Sequence, residues 1–457
     1  MRLIGRLYSL AMLLAQPAVR RKLARRARAE PLYAQAVPER FGHYDTAWPA
    51  DPGTTVWVHA VSLGETRTAA LLVEQLRLAL PGMRLVLSHG TATGRAEGQR
   101  LLRPGDVQVW QPWDSEPAVR RFLDHFRPRI GLLMETEVWP NWVAACQERG
   151  LPLVLANARL SEQSLNKALR LAWLARPAYR GLAAVWAQTP EHASRLRRLG
   201  ALVPGVFGNL KFDARPDAGL LAAGRQGRAA RRAPVAMLAS SRAGEEAQLL
   251  LALKEQILAA RAARAARAAQ EAWPGAAPSL QTQWLIVPRH PQRFDQVAAL
   301  IEAQGFALQR RSQGGPWPPA DAPALASSLG SIWLGDTLGE MALYYGLADL
   351  ALLGGSFEPL GGQNLIEAAA CGCPLLMGPH TFNFAEAARL AVTAGAAQSV
   401  ASMAEALSAA QDLLAQPERR SAMAAAADRF ASAHSGAAQR TAAAVAALIG
   451  QQRVDLL

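Results

Sequence analysis

From about residue 55 onward, short apolar runs alternate with longer amphipathic stretches. Val56-Trp57-Val58-His59-Ala60-Val61 reads as a strand buried on both faces. A helical stretch over residues 65–80 follows and closes at Pro81-Gly82. Residues 85–88, 130–134, 153–156 and 184–187 continue the series of apolar runs. The pattern then restarts, with runs at 235–239, 284–287, 331–334, 350–353 and 374–377. Strands alternating with helices imply parallel sheets covered on both faces. The fold class expected is therefore α/β: two doubly wound, Rossmann-like lobes over residues 31–215 and 216–457, facing each other across a cleft. In such sheets ligands sit beyond the carboxyl ends of the strands. Two segments read as decoration. Residues 259–279 repeat Ala-Ala-Arg and break at Pro274 and Pro278, and residues 313–328 form a Pro/Gly/Ala-rich surface loop.

Composition agrees with two globular lobes. A chain of 457 residues exceeds one ordinary core, and 51% hydrophobic residues with a mean hydropathy of +0.03 exclude both disorder and a polytopic membrane protein. The net charge of +13 is concentrated in residues 1–30, which carry +7, and residues 224–270, which carry +6. Neither stretch has the aromatic interleaving or recognition element of a nucleic-acid binder, so no nucleic-acid partner is expected. The three cysteines, Cys146, Cys371 and Cys373, make no disulfide framework or zinc pattern and read as buried free thiols in a reducing compartment.

Residues 1–30 stand apart. Residues 3–15 are apolar except Arg6, Tyr8 and Ser9, and Arg20, Arg21, Lys22, Arg25, Arg26 and Arg28 follow. The run is too short to span a bilayer comfortably, and no small-residue cleavage site is evident. It reads as an interfacial helix whose arginines meet anionic headgroups, or else as an ordinary helix packed on the core.

The candidate chemistry lies at strand ends. Ser62-Leu63-Gly64-Glu65 joins the first strand to its helix. Gly64 would permit a tight turn, and Glu65 would stand exposed at a helix start, where the dipole favours its ionised form. Such a carboxylate can take a proton from an attacking hydroxyl, although a helix-start glutamate is also a common structural device. Thr91-Ala92-Thr93-Gly94 follows the second strand and offers Thr93 and Gly94 to a polar ligand. Glu135-Thr136-Glu137 ends the next, Asn157-Ala158-Arg159 the one after, and Lys211 closes the first lobe. In the second lobe Arg289 can pair bidentately with a phosphate or carboxylate. Gly354-Gly355-Ser356 and Gly361-Gly362-Gln363-Asn364 form a glycine-rich loop that opens a helix bearing Glu367. No Walker or dinucleotide fingerprint is present.

The ordered string VSLGE, TATG, METEVWPN, NARLS, GNLKFD, PRHPQRF, GDTLGEM, GGSF, GGQNLIE and GPHTFNF resembles the bacterial Kdo transferases, where Kdo is 3-deoxy-D-manno-octulosonic acid. The resemblance spans roughly residues 32–390. It implies a GT-B glycosyltransferase fold with an N-terminal membrane-associated helix, an acceptor-binding first lobe and a donor-binding second lobe. It implies CMP-Kdo as donor substrate and a lipid A precursor, lipid IVA, as acceptor in lipopolysaccharide core biosynthesis; with basic side chains and amides facing the phosphate and no Asp-x-Asp cluster in the sequence, no metal or further cofactor is expected. It also implies inversion at the sugar and a place at the cytoplasmic face of the inner membrane, against anionic lipid. Carried over, Glu65 matches the catalytic base, and Glu135 and Lys211 match transition-state stabilisers. Pro288 and Arg289, then Gly339, Glu340 and Met341, then Asn364, Leu365, Ile366 and Glu367 match the CMP contacts. Ser62, Gly64, Thr93, Gly94, Glu137 and Arg159 are candidates for the acceptor side. Two departures stand out: Gln363 occupies a place usually held by His, and Ser241-Arg242 replaces the usual Thr-His. Another GT-B enzyme with a UDP-sugar donor, or a lipid- or nucleic-acid-binding protein without activity, are the alternatives. The VSLGE and METEVWPN motifs speak against the first, and the carboxylate-rich cleft against the second.

Overall fold

A computed structural model describes residues 2–49, 53–270, 282–314, 317–318 and 329–454. The chain forms two compact units, residues 1–213 with 434–457, and residues 214–433.

The first unit is built on a parallel sheet. Its strands are β1 (Thr55–His59), β2 (Arg84–His89), β3 (Val107–Trp110), β4 (Ile130–Met134), β5 (Leu153–Ala158), β6 (Ala184–Ala187) and β7 (Gly205–Val206), in the order β3-β2-β1-β4-β5-β6-β7. Every position of β1 is buried, because helices cover both faces of the sheet. Side chains alternate between the two faces. Trp57 enters one core, stacked on Trp142 at 4.4 Å beside Phe122, while Val56 and Val58 enter the other with Leu72 and Leu76. Gly131 on β4 makes room for Trp57: a Cβ there would stand 2.6 Å from the indole.

The expected division placed all of 216–457 in the second lobe. The last helix, Ala437–Val454, instead returns to the first unit and packs on the helix Leu63–Ala79. Ala437, Ala438, Ala442, Val445 and Ile449 join the core around Val56 and Val58, and Asp213 accepts the amides of Gly436 and Ala438. An alanine-rich face allows this close approach but leaves little apolar contrast in the sequence.

Residues 2–30 contain two helices, Arg2–Leu14 and Gln16–Ala27. Among the described residues, no helix is long and apolar enough to cross a membrane. The first helix docks on the unit through its polar side. Tyr8 donates to Asp114 at 2.8 Å, Ser9 donates to Asn141 at 2.6 Å, and Trp113 Nε1 donates to Met12 O at 2.8 Å. Leu7, Leu10, Leu13 and Leu14 face outward.

The second unit repeats the plan. Its strands are β8 (Val235–Ser241), β9 (Gln283–Pro288), β10 (Ala307–Arg310), β11 (Ser331–Leu334), β12 (Leu350–Leu353), β13 (Leu375–Met377) and β14 (Ala397–Ser399), parallel in the order β10-β11-β9-β8-β12-β13-β14. The Ala-Ala-Arg repeats continue the helix Glu245–Gln270; residues 271–281, and 315–316 with 319–328 of the expected surface loop, lie outside the described residues. Cys146, Cys371 and Cys373 are buried free thiols.

Candidate active site

In the first unit the polar groups gather where β1, β4 and β5 end side by side. Ser62 caps the helix Leu63–Ala79: its Oγ accepts from Glu65 N at 3.4 Å and donates to Glu65 Oε1 at 3.0 Å. Val61 N donates to Glu65 Oε2 at 3.0 Å. This is a variant of the capping box in which the glutamate reaches back to the amide of the residue before the cap. Glu65 is thus half-buried rather than exposed. Its pKa is raised: burial contributes most, the Val61 amide opposes it, and the charges of Glu135 and Glu137 push it further up. Burial and like charge outweigh the Val61 and Ser62 hydrogen bonds, which favour the ionised form. Gly64 has room for a Cβ and no left-handed backbone, so no tight turn requires it.

The 91–94 turn packs against the same place. Thr91 caps its helix and donates to Val61 O at 2.8 Å. Thr93 is exposed, whereas Gly94 is buried, and a Cβ on Gly94 would stand 2.8 Å from Val61 O. Close packing on Val61 therefore requires glycine at 94.

Glu135, at the end of β4, is 5% exposed and adopts a left-handed backbone at φ 60°. Arg159, at the end of β5, donates from Nε to Glu135 Oε2 at 2.7 Å. Glu137 accepts from Trp139 Nε1 at 2.9 Å, and burial raises its pKa. Lys211 lies in the turn Leu210–Asp213, which β5 fixes through Asn157: Leu210 N donates to Asn157 Oδ1 at 3.1 Å. Among the described residues no group of three or more His, Cys, Asp or Glu side chains could hold a metal ion. A cavity of about 300 Å³ lined by Gly150, Pro152 and Leu448 lies at the amino end of β5, away from these carboxylates.

In the second unit the corresponding strand ends are basic. Arg289 is exposed at the end of β9 and donates from Nε to Gln363 Oε1 at 3.1 Å. The unusual glutamine therefore holds the arginine. Pro288 is buried in the strand pairing. Gly339 is exposed with φ 82°, and Met341 opens a helix. Glu340 is committed to Arg311 at 2.8 and 3.1 Å and to Thr337, and the Arg311 hydrogen bond is the first cause of its lowered pKa. Asn364 caps the helix Leu365–Ala370, accepting from Ile366 N at 3.3 Å. Leu365 and Ile366 are each 1% exposed, whereas Glu367 is half-buried.

Several groups were not anticipated from the sequence. Glu245, 0% exposed, accepts from Gly355 N at 2.8 Å, Phe357 N at 3.1 Å and Arg242 N at 2.8 Å, and so clamps the glycine-rich loop. Glu246 is paired with Arg293 and Ser241. Arg310 binds Asp336 at 2.6 Å. Glu245 and Glu246 open the helix Glu245–Gln270, and Arg310 ends an edge strand, followed directly by Arg311, that no apolar run announced.

The family model described as 3-deoxy-D-manno-octulosonic-acid transferase (kdotransferase) matches residues 35–214. A 3-deoxy-D-manno-octulosonic acid transferase of Bordetella pertussis is 45% identical over 442 residues, which is 95% of this chain and 97% of that protein. The chain belongs to the 3-deoxy-D-manno-octulosonic acid transferases. It is a Kdo-transferring glycosyltransferase. The enzyme of the same description from Haemophilus influenzae is 30% identical, over 89% of this chain and 90% of that one. The matched segment 35–214 runs from before β1 to beyond β7, so it carries Glu65, Glu135 and Lys211 together. A solved glycosyltransferase of Rickettsia africae covers 87% of this Kdo transferase at 12% identity with a TM-score of 0.53, and 98% of its own chain is covered. That likeness, with the two parallel seven-stranded sheets, gives the GT-B fold class.

Proposed function

We propose that the enzyme moves Kdo from CMP-Kdo to a sugar hydroxyl of a lipid A precursor, lipid IVA, inverting the anomeric centre in one displacement. The observation that carries this reading is Glu65, whose pKa is raised by burial and by the charges of Glu135 and Glu137. A carboxylate raised towards neutrality is a better proton acceptor for a hydroxyl than an ordinary one. Glu65 takes the proton of the acceptor hydroxyl, the oxygen bonds to the anomeric carbon of Kdo, and the bond to CMP breaks with its electron pair leaving on the phosphate. Oxocarbenium character in the transition state is countered by Glu135, and charge on the departing phosphate by Lys211 and Arg289. Pro288, Gly339, Met341 and residues 364–366 contact CMP through backbone, and Glu367 through its carboxylate. Ser62, Thr93, Glu137 and Arg159 face the acceptor.

We place the reaction at the cytoplasmic face of the inner membrane. The outward leucines of the helix Arg2–Leu14 and the exposed arginines after it support contact with anionic lipid.

Glu65→Gln tests the base. Glutamine can still complete a capping box, so thermal unfolding should match wild type. Turnover should fall by about 10²–10⁴-fold while CMP affinity by calorimetry stays unchanged. Near-normal turnover would remove Glu65 from the role. The anomeric configuration of the product, read by NMR, tests inversion.

A further inference from the structure

The ends of β8 and β9 bring two arginines to one place. Ser241 pairs with Pro288, and the residues that follow are Arg242 and Arg289. Neighbouring strands stand about 4.8 Å apart. Arg289 N donates to Ser241 O at 3.0 Å, and its guanidinium is held by Gln363. Arg242 reaches the same neighbourhood past Gly355: a Cβ there would stand 3.0 Å from Gln363 Nε2 and 3.6 Å from Arg242 Cγ. His290 responds to both. Its pKa is lowered, first by burial and then by Arg242, Arg289 and Arg293.

These cations are not equivalent. Arg293 is spoken for by Glu246, at 2.7 and 3.1 Å. Arg289 is oriented by a neutral amide that leaves its charge uncompensated. Arg242 is half-buried, and among the described residues its guanidinium makes no hydrogen bond or ion pair. Its backbone is fixed nonetheless. The buried Glu245 carboxylate takes Arg242 N together with Gly355 N and Phe357 N, so the arginine and the glycine-rich loop are held by one group. A positioned main chain with an uncommitted cation beside a second cation suits a ligand that carries two adjacent anions.

We propose that Arg242 receives the carboxylate of the transferred acid sugar, beside Arg289, which receives the phosphate. The assignment rests on the reading that the second unit holds CMP-Kdo. In that donor the carboxylate and the phosphate oxygen are bonded to the same anomeric carbon, so two negative charges sit side by side. One guanidinium pairs bidentately with only one of them. Arg242 then selects an acid sugar over neutral nucleotide sugars, since a neutral sugar would leave its charge without a partner.

The test compares two ligands on the full-length enzyme without acceptor. Arg242→Met keeps an apolar stem beside Gly355 and removes the charge. Calorimetry should show CMP-Kdo bound about tenfold or more weakly, with CMP affinity within about twofold of wild type. Arg289→Ala should weaken both ligands, and Arg242→Lys should recover part of the CMP-Kdo affinity. In turnover, the Met variant should raise KM for CMP-Kdo more than it lowers kcat. Equal weakening of CMP and CMP-Kdo would overturn the assignment and make Arg242 a general or phosphate-binding charge. No change in either would make it a solvated surface arginine. If wild-type enzyme takes up neither ligand, the donor reading itself falls, which the wild-type titrations alone reveal.

Discussion

Glu135 joins three features in one residue: a left-handed backbone, near-complete burial and an arginine partner at 2.7 Å. A non-glycine residue in that region costs on the order of 1–3 kcal/mol and is retained where the surroundings over-determine it. Here Glu135 N donates to Ala156 O at 3.0 Å and Arg159 N donates to Glu135 O at 3.2 Å, so the neighbouring strand end enforces the turn. One consequence is electrostatic. Burial is the first cause of the raised Glu65 pKa, and the Glu135 charge adds to it. A base with a raised pKa is protonated, and idle, below that pKa, so the rate falls as pH falls through it. Glu135→Gln removes one cause of the rise. The acid limb of kcat/KM against pH should therefore move to lower pH, even as kcat drops from loss of the proposed stabiliser. A limb that stays where wild type has it would uncouple the two carboxylates. At this scale the motifs were legible because VSLGE and METE sit at the ends of strongly apolar strands. Their partners were not. The bond from Gly355 to Glu245 joins residues 110 apart, and that from Arg311 to Glu340 joins residues 29 apart. Such pairings exist only once both strands are placed, and no local pattern carries them.

The same logic governs the elements. Strands inside the sheets are covered on both faces and read as continuous apolar runs, such as Leu-Ala-Leu-Leu in β12, buried throughout. The strands the sequence did not announce, β3, β7, β10 and β14, are the edges of the two sheets. β10, Ala-Leu-Gln-Arg, has no fully buried position, and half its residues are polar. Edge strands are kept short and polar because open backbone there invites pairing with other chains. The helix Arg2–Leu14 inverts the usual rule: its packed side uses Tyr8, Ser9 and a backbone carbonyl, while Leu7, Leu10 and Leu14 are 60%, 52% and 73% exposed. Deleting residues 1–28 would thus take one hydrogen bond each from Asp114 and Asn141 and take Arg20 off the Phe41 ring, mixing folding with membrane contact. A triple change, Leu7→Ser, Leu10→Ser and Leu14→Ser, isolates the outer face. Exposed substitutions typically alter stability by only about 0.5 kcal/mol each, so the fold should hold. Co-sedimentation with anionic vesicles should drop sharply, and activity on detergent-dispersed acceptor should persist. Wild-type binding should weaken with salt, because attraction between the arginines and headgroups is screened beyond about 8 Å at physiological ionic strength. Equal sedimentation of the two proteins would move the membrane contact elsewhere.

For the whole molecule, the net charge of +13 comes from two stretches that use it differently. In residues 1–30 the arginines from 20 to 28 are exposed, apart from ring contacts made by Arg20 and Arg26. In the second stretch several are used internally: Arg225 donates to Cys371 O at 3.1 Å, Arg228 to Ala348 O at 3.0 Å, and Arg231 lies 4.5 Å from the Trp333 ring centre. Charge counting could not separate the two uses. The restart of the strand–helix pattern made the second sheet legible, whereas the return of the chain was hidden, since Ala437–Val454 has little contrast between its faces. That return has a testable consequence. Val445 is 0% exposed in the core shared with Val56, Val58, Leu72 and Leu76. Val445→Asp buries a charge with no partner, a change in the small class that costs several kcal/mol. If the helix belongs to the first unit, the cost falls there, although the helix lies next in sequence to the second. Hydrogen exchange should quicken over β1, β2 and residues 437–454, while β8, β9 and β12 exchange as in wild type. CMP uptake by calorimetry should persist at temperatures where transfer activity is already lost. Equal quickening across residues 214–433 would mean that the two units do not unfold separately. Quickening confined to that range would assign the last helix to the second unit, as the order of residues along the chain alone suggested.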